Sequence, residues 1–156
     1  MASAVQCLKP LLARGNMPRH RSETALAIFT LIAAATHFTL ETWFHLKWGQ
    51  PLQALIVDYI CVALMLLGGV RSLAARPGSA AGLLAAGWGY ALGFSWRSVF
   101  GRLELLESGV RASNGEPTQK VVTLLIAVLV IVAVVLAWSL ALAWRQSRGA
   151  AGGLSS

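Results

Sequence analysis

The chain has 156 residues, of which 56% are hydrophobic and 12% are charged. A soluble domain usually carries about 25% charged residues, so this composition excludes disorder and argues against a water-soluble globule. The formal charge of +7 would suit a nucleic-acid-binding protein. We exclude nucleic acid as a partner because the basic residues lie at the ends of apolar runs and form no stripe of their own.

Four apolar runs are each long enough to cross the hydrocarbon core of a bilayer as a helix. They lie at about 24–46, 51–71, 77–100 and 120–144. The sequence therefore predicts an all-α, four-helix transmembrane bundle over residues 24–145, a polytopic inner-membrane protein. A basic cytoplasmic segment, 1–23, is expected before it and a flexible cytoplasmic tail, 146–156, after it. The first run is too long for a signal peptide and contains Glu41, so we interpret it as a retained span.

The connections between the runs differ in length. About four residues, Lys47–Gln50, join the first two runs, and Pro51 follows, so an antiparallel hairpin is expected. The longest connection, 101–120, contains Ser113, Asn114 and Gly115. It is expected to be a flexible excursion that begins with a short helix over the letters LELLE.

Four crossings place both termini on one side of the membrane, and eight of the 13 Lys and Arg residues fall on that side. The excess predicts a bacterial-type inner (plasma) membrane protein with both termini cytoplasmic and the loop around Asn114 periplasmic. The basic residues on the side of the termini are Lys9, Arg14, Arg19, Arg21, Arg71, Arg76, Arg145 and Arg148. Those on the other side are Lys47, Arg97, Arg102, Arg111 and Lys120.

Polar side chains concentrate in the half of the spans away from the termini, and the cytoplasmic half is expected to be nearly devoid of them. Charged groups within a span are costly and are therefore functional candidates. The hairpin brings Glu41 and Asp58 to similar depth, and Arg97 ends the third run at the same level, so we expect these three to lie within reach of one another. The sequence thus predicts a polar pocket that opens toward the periplasm.

Three polar residues on the first span, His37, Glu41 and His45, are spaced four residues apart and share a helix face. This spacing leaves acid–base chemistry, metal ligation and proton relay open. It is not a recognised metal signature, so no metal ligand is assigned, and the cofactor is left undefined. Glu41 and His37 are the acid–base candidates, with Asp58 and Arg97 as supporting charges. The candidate ligand-binding residues are His45, Tyr59, Trp88, Tyr90 and Trp96.

Small residues recur along the third run at helical spacing, at Gly82, Ala86, Gly89 and Gly93. Without large side chains, another helix can approach the backbone closely. We favour packing within the bundle for this seam. A homo- or hetero-oligomer through Gly82, Gly89 and Gly93 is the alternative.

The segment from His37 to Phe44, HFTLETWF, resembles the H-x-x-x-E-x-W-F pattern of the EXPERA family, in its sterol isomerase group of emopamil-binding proteins. The resemblance covers these eight residues. In that family, a membrane-embedded His and Glu help to move a double bond in a sterol by protonation and deprotonation. The resemblance implies proton chemistry on a lipophilic substrate for His37 and Glu41.

Two classes of function remain open at this point, and in both the lipid bilayer surrounds the chain. The first is a membrane enzyme or binding protein that acts on a lipophilic small molecule from the periplasmic half. The second is a non-catalytic subunit or assembly factor, in which the charges only hold helices together. A transporter component is a third possibility, although four spans are few for a complete pathway.

Overall fold

The computed structural model describes residues 21–49, 51–74, 80–109, 115 and 117–152, and over these residues the protein is a bundle of four helices without strands. The helices are α1 (Arg21–Trp48), α2 (Leu52–Ala74), α3 (Ala81–Glu107) and α4 (Thr118–Gly152). The all-α, four-helix prediction is confirmed. The N-terminal segment up to residue 20, the loop around Asn114 and residues 153–156 lie outside the described residues.

Helices that follow one another in the sequence pack as antiparallel neighbours, in the order α1, α2, α3, α4. The predicted hairpin between α1 and α2 is confirmed. Gly49 ends α1 with a φ of +64° and donates its N–H to the carbonyl of His45 at 2.9 Å, which is a glycine C-cap. The carbonyl of Pro51 then accepts the N–H of Ala54 at 3.0 Å in the first turn of α2. A turn this short fixes the register of the two helices.

The bundle has two ends, which we name by α1. At the Trp48 end, α1 ends, α2 begins, α3 ends and α4 begins. At the Arg21 end, α1 begins, α2 ends, α3 begins and α4 ends. The predicted helical start of the long loop is continuous with α3, which runs on to Glu107.

Two glycines set the distances between neighbouring helices. A Cβ added to Gly69 on α2 would lie 2.8 Å from Cδ2 of Leu31 on α1, so a side chain there forces Leu31 to move. A Cβ added to Gly68 on α2 would lie 3.3 Å from the backbone nitrogen of Leu84 on α3, which is also closer than an ordinary contact. Close approach of this kind is how helices pack tightly in a bilayer, where no hydrophobic effect drives them together.

The predicted seam on α3 does not take part in this packing. A Cβ added to Gly82, Gly89 or Gly93 would have no neighbour within 4 Å, and Ala86 is exposed. Our preference for packing of these glycines within the bundle is therefore wrong. The inward face of α3 instead carries Gly87 and larger side chains, and the buried ones are Leu84, Trp88, Ala91, Ser95 and Val99.

Within the described residues, three helices are long and apolar enough to cross a membrane: α1, α2 and the Thr118–Arg148 part of α4. Helix α3 is long enough but is not among them, because its glycines, Ser95 and Arg97 lower its hydropathy. Large apolar side chains cover the outside of α4, where Leu124, Val130, Val134 and Leu140 are all more than half exposed. The molecule therefore has the architecture of a multi-pass membrane protein.

Candidate functional site

Three titratable side chains from α1 and α2 meet in the interior toward the Trp48 end, and we name them the polar triad: His37, Glu41 and Asp58. His37 lies between the two carboxylates. Its Nε2 is 3.5 Å from Oδ1 of Asp58, and its Nδ1 is 3.9 Å from Oε1 of Glu41. Each imidazole nitrogen thus faces a different carboxylate. A proton on Nδ1 can be shared with Glu41, and a proton on Nε2 can be shared with Asp58.

The positions of the triad follow from the sequence by two simple rules. His37 and Glu41 are separated by four residues, so they lie on one face of α1. Asp58 reaches the same level because the hairpin turn at Gly49–Pro51 is about equally far from Glu41 and from Asp58 in sequence. The prediction that Glu41 and Asp58 come to similar depth is confirmed, and His37 joins them.

Asp58 is the group with the most unusual environment. Its side chain is fully buried, at 0% exposure, and neither carboxylate oxygen has a hydrogen-bond partner within the described residues. His37 Nε2, which faces it, is likewise without a hydrogen bond there. Leaving a buried polar group unsatisfied costs about 1–3 kcal/mol, and more for a charged group. The 3.5 Å contact between Asp58 and His37 offsets part of this cost, and no hydrogen bond in the described residues offsets the rest.

Aromatic rings form the surroundings of the triad. Phe94 on α3 meets the His37 ring in an edge contact, with centroids 6.5 Å apart. On the other side, Phe38 stacks on Tyr59 at 5.1 Å, and the Tyr59 hydroxyl hydrogen-bonds the Thr42 hydroxyl at 2.9 Å. Tyr59, a predicted ligand-binding residue, therefore lies on α2 directly after Asp58 and borders the site. Sequence reasoning did not identify Phe94 or Thr42.

The predicted role of Arg97 is not found. Arg97 is exposed on α3 and forms no ion pair with either carboxylate in the part of the chain that the structure describes. It lies on the opposite face of α3 from the buried Ser95 and Val99. Arg102, five residues further along α3, has a weak electrostatic influence on Glu41, and its guanidinium lies 5.7 Å from the centre of the Phe44 ring.

The other predicted ligand-binding residues lie away from the triad or at its border. Trp88 is a core residue that donates its indole N–H to the Thr30 hydroxyl at 3.0 Å, two turns of α1 before His37. Tyr90 packs against the same core. Trp96 is 57% exposed, and its ring contacts that of Phe100 in a tilted arrangement, with centroids 4.6 Å apart. His45 is half-buried near the end of α1.

A second polar cluster occupies the Arg21 end, which corrects the expectation that this half has almost no such groups. Glu23 is buried at 3% exposure in the first turn of α1. Its Oε1 accepts the Ser72 hydroxyl of α2 at 3.1 Å, and its Oε2 accepts the Gln146 amide of α4 at 3.1 Å. Nearby, Trp138 donates to Ser22 at 2.9 Å. Unlike Asp58, Glu23 therefore acts as a hydrogen-bonded link between three helices.

The triad is open on one side. The side chains of His37 and Glu41 are 28% and 22% exposed, while Asp58 beneath them is fully covered. His37 lies 11 residues before the end of α1, about 16 Å along the helix axis at 1.5 Å per residue. The surface at this depth is apolar, with exposed Phe38 and Ile56. Exposed apolar side chains near this depth suit contact with lipid rather than with bulk water.

The fold and the site together define a helical membrane protein with a histidine–carboxylate cluster between its first two helices. No family model, curated protein or solved structure matches the chain. Its function must therefore be argued from the geometry of the site.

Proposed function

We propose that this protein binds a lipophilic molecule at the polar triad and exchanges a proton with it through Glu41 and His37. Its place in a cell would be a bacterial-type inner membrane with both termini cytoplasmic, in keeping with the excess of basic residues on the terminal side. In this scheme, one of the two residues delivers a proton to the ligand and the other removes one. The net charge and the number of hydrogens therefore stay constant over the cycle.

The observation that carries the proposal is the environment of Asp58. A carboxylate buried for packing normally has its oxygens satisfied, as those of Glu23 are. Asp58 has no hydrogen bond among the described residues and faces a histidine at 3.5 Å. Unsatisfied polar atoms of this kind, next to two further titratable groups, are typical of a functional site rather than of a structural contact.

The class of ligand is inferred from the route to the site. His37 and Glu41 are partly exposed at a depth where apolar side chains form the surface. A molecule that reaches them from the bilayer must itself partition into hydrocarbon. The resemblance of the segment from His37 to Phe44 to the sterol isomerase group of the EXPERA family supports the same class of ligand and the same two residues for the proton transfer.

Replacement of Glu41 by glutamine is expected to abolish proton exchange while the bundle stays folded, because an amide has nearly the same shape but cannot take up and release the proton. Protein purified from expression-host membranes is incubated in deuterated buffer, and its co-purified lipophilic molecules are analysed by mass spectrometry. We expect the wild type to introduce solvent deuterium into one of them. In the Glu41→Gln variant the rate should fall at least about 100-fold.

Glu104→Gln is the matched control, because Glu104 is an exposed glutamate near the end of α3 and is not a member of the triad. It should exchange deuterium at the wild-type rate. Failure of the wild-type protein to retain or label any lipophilic molecule would contradict the proposal. So would labelling that falls in Glu41→Gln only in proportion to the loss of folded protein.

A non-catalytic subunit is the second candidate, and the open face of α3 favours it. Gly82, Gly89 and Gly93 lie on the outside of the bundle with no neighbour at the Cβ position. If a partner helix or a second copy packs there, Gly89→Leu should abolish that association without unfolding the bundle. Mass measurement of the protein in detergent, together with co-purifying chains, tests this. A wild-type protein that is monomeric and free of partners would exclude the second candidate.

A further inference from the structure

We propose that His37, Glu41 and Asp58 bind one divalent transition-metal ion. This inference goes beyond the proposed function and does not depend on it, since it concerns the affinity of the site for a cation in the absence of any lipophilic ligand. The two proposals are connected at one point, because a metal ion and an exchangeable proton would compete for the same lone pairs on the triad side chains. A bound ion would therefore switch off proton exchange.

The donor atoms are already close together. One ligand atom from each member of the triad can be chosen so that all three lie within 4.8 Å of one another. The distance of 3.5 Å from His37 Nε2 to Asp58 Oδ1 is close to the separation of about 3.4 Å between two ligands of a tetrahedral ion with bonds of about 2.1 Å. Glu41 is a partly exposed side chain with several rotatable bonds, so a change of rotamer can bring its carboxylate onto the same ion.

The environment of Asp58 points independently to a bound cation. Its carboxylate is completely buried, and both of its oxygens are without a hydrogen-bond donor in the described part of the chain. The neighbouring Nε2 of His37 is also unsatisfied. Two carboxylates in a medium of low dielectric favour a divalent cation strongly, because it neutralises both charges at once. One ion placed between these atoms would satisfy all of them.

The chemistry of the donor set limits which ion is expected. One imidazole nitrogen and two carboxylates suit Zn²⁺, Mn²⁺, Fe²⁺ or Co²⁺ better than Ca²⁺ or Mg²⁺, which prefer all-oxygen sites. Cys61, one turn after Asp58, does not join the set, since its thiol contacts the Met65 sulfur at 3.9 Å. Three protein ligands leave a position for water, and such an open coordination site is typical of exchangeable or catalytic metals.

The test uses untagged, full-length protein in detergent, stripped with a chelator and titrated with Co²⁺ alone. Tetrahedral Co²⁺ gives a visible absorption spectrum that reports the number and type of its ligands, and Zn²⁺ is then added to displace it. We expect one equivalent of Co²⁺ per chain and displacement by Zn²⁺. Asp58→Asn and His37→Gln should each weaken binding by at least about 100-fold, because each removes a direct ligand.

Two variants serve as controls. Glu104→Gln and Glu107→Gln should keep the wild-type affinity, since both residues are exposed and neither belongs to the triad. Absence of Co²⁺ binding by folded wild-type protein would overturn the proposal. It would also be overturned if His45→Gln removed binding while His37→Gln did not, because the ion would then lie elsewhere. The two proposals can fail separately. If the wild type binds no Co²⁺ but Glu41→Gln still loses proton exchange, the metal proposal is overturned and the proposed function stands.

Discussion

Replacement of Glu23 by alanine is expected to destabilise the bundle by about 2 kcal/mol. This is the largest loss of stability that we expect from replacing any single acidic residue of the chain. The variant removes the acceptor of two interhelical hydrogen bonds, each 3.1 Å long, from Ser72 on α2 and Gln146 on α4. Both donors would then be left in the interior without that partner. Thermal unfolding of the purified protein in detergent, followed by circular dichroism, measures the loss.

Glu104→Ala is the control for the Glu23 experiment, and it should change the stability by less than about 0.5 kcal/mol, because Glu104 is exposed. Ser72→Ala should cost about half as much as Glu23→Ala, since it removes one of the two hydrogen bonds. Equal stability of Glu23→Ala and the wild type would show that the cluster at the Arg21 end does not hold the three helices together.

Replacement of Asp58 is expected to change the stability in the opposite direction. Replacement by valine should stabilise the metal-free protein by about 2 kcal/mol, because removing a buried carboxylate without a hydrogen bond gains more than is lost with its 3.5 Å contact to the partly exposed His37. Sites that serve function commonly carry such a cost in stability. The measurement is thermal unfolding in detergent with a chelator present, so that no bound cation contributes to the wild-type value.

Thr30→Val is the matched control for Asp58→Val, because it also replaces a fully buried polar residue by valine. Thr30 accepts the indole N–H of Trp88 at 3.0 Å, so this variant should lose about 1 kcal/mol. The two variants are expected to change the stability in opposite directions because Asp58 has no hydrogen bond among the described residues, whereas Thr30 has two. A decrease in stability with Asp58→Val that equals or exceeds that of Thr30→Val would mark Asp58 as a structural group, and both proposals for the triad would lose their main support.

The triad was largely predictable from the sequence because two rules of geometry suffice to place it. A spacing of four residues puts His37 and Glu41 on one helix face, and a short hairpin sets Asp58 at their level. Neither rule needs knowledge of tertiary packing. The pairing of His37 with both acids, in contrast, depends on rotamers that the sequence does not specify.

The contribution of α3 could not be predicted, because it depends on how that helix is rotated about its axis. Small and apolar residues occur all around α3, so no face is marked as the inward one. A different rotation would have brought Arg97 inward and turned Phe94 away. The same ambiguity explains why the prediction that Gly82, Gly89 and Gly93 pack within the bundle is wrong. By sequence alone, this series and Gly87 are equally suitable for close contact with another helix.

Glu23 was missed for a different reason. The first apolar run begins directly after the charged Glu23, so its hydropathy predicts that Glu23 belongs to the preceding polar segment. A signal for its burial was nonetheless present. Ala27, Thr30 and Ala34 follow it at intervals of three or four residues, as expected for one inward face of α1, and all three are buried.

The hairpin of α1 and α2 also has a consequence for biosynthesis. All members of the triad belong to the first two helices, and Glu23 accepts a hydrogen bond from Ser72 within the same hairpin. A nascent chain that inserts this hairpin as a unit can therefore pair its intramembrane polar groups before α3 and α4 have been synthesised. The polar and charged side chains of α1 are therefore not left unpaired in lipid until the later helices insert. The site can form while the ribosome is still translating the second half of the protein.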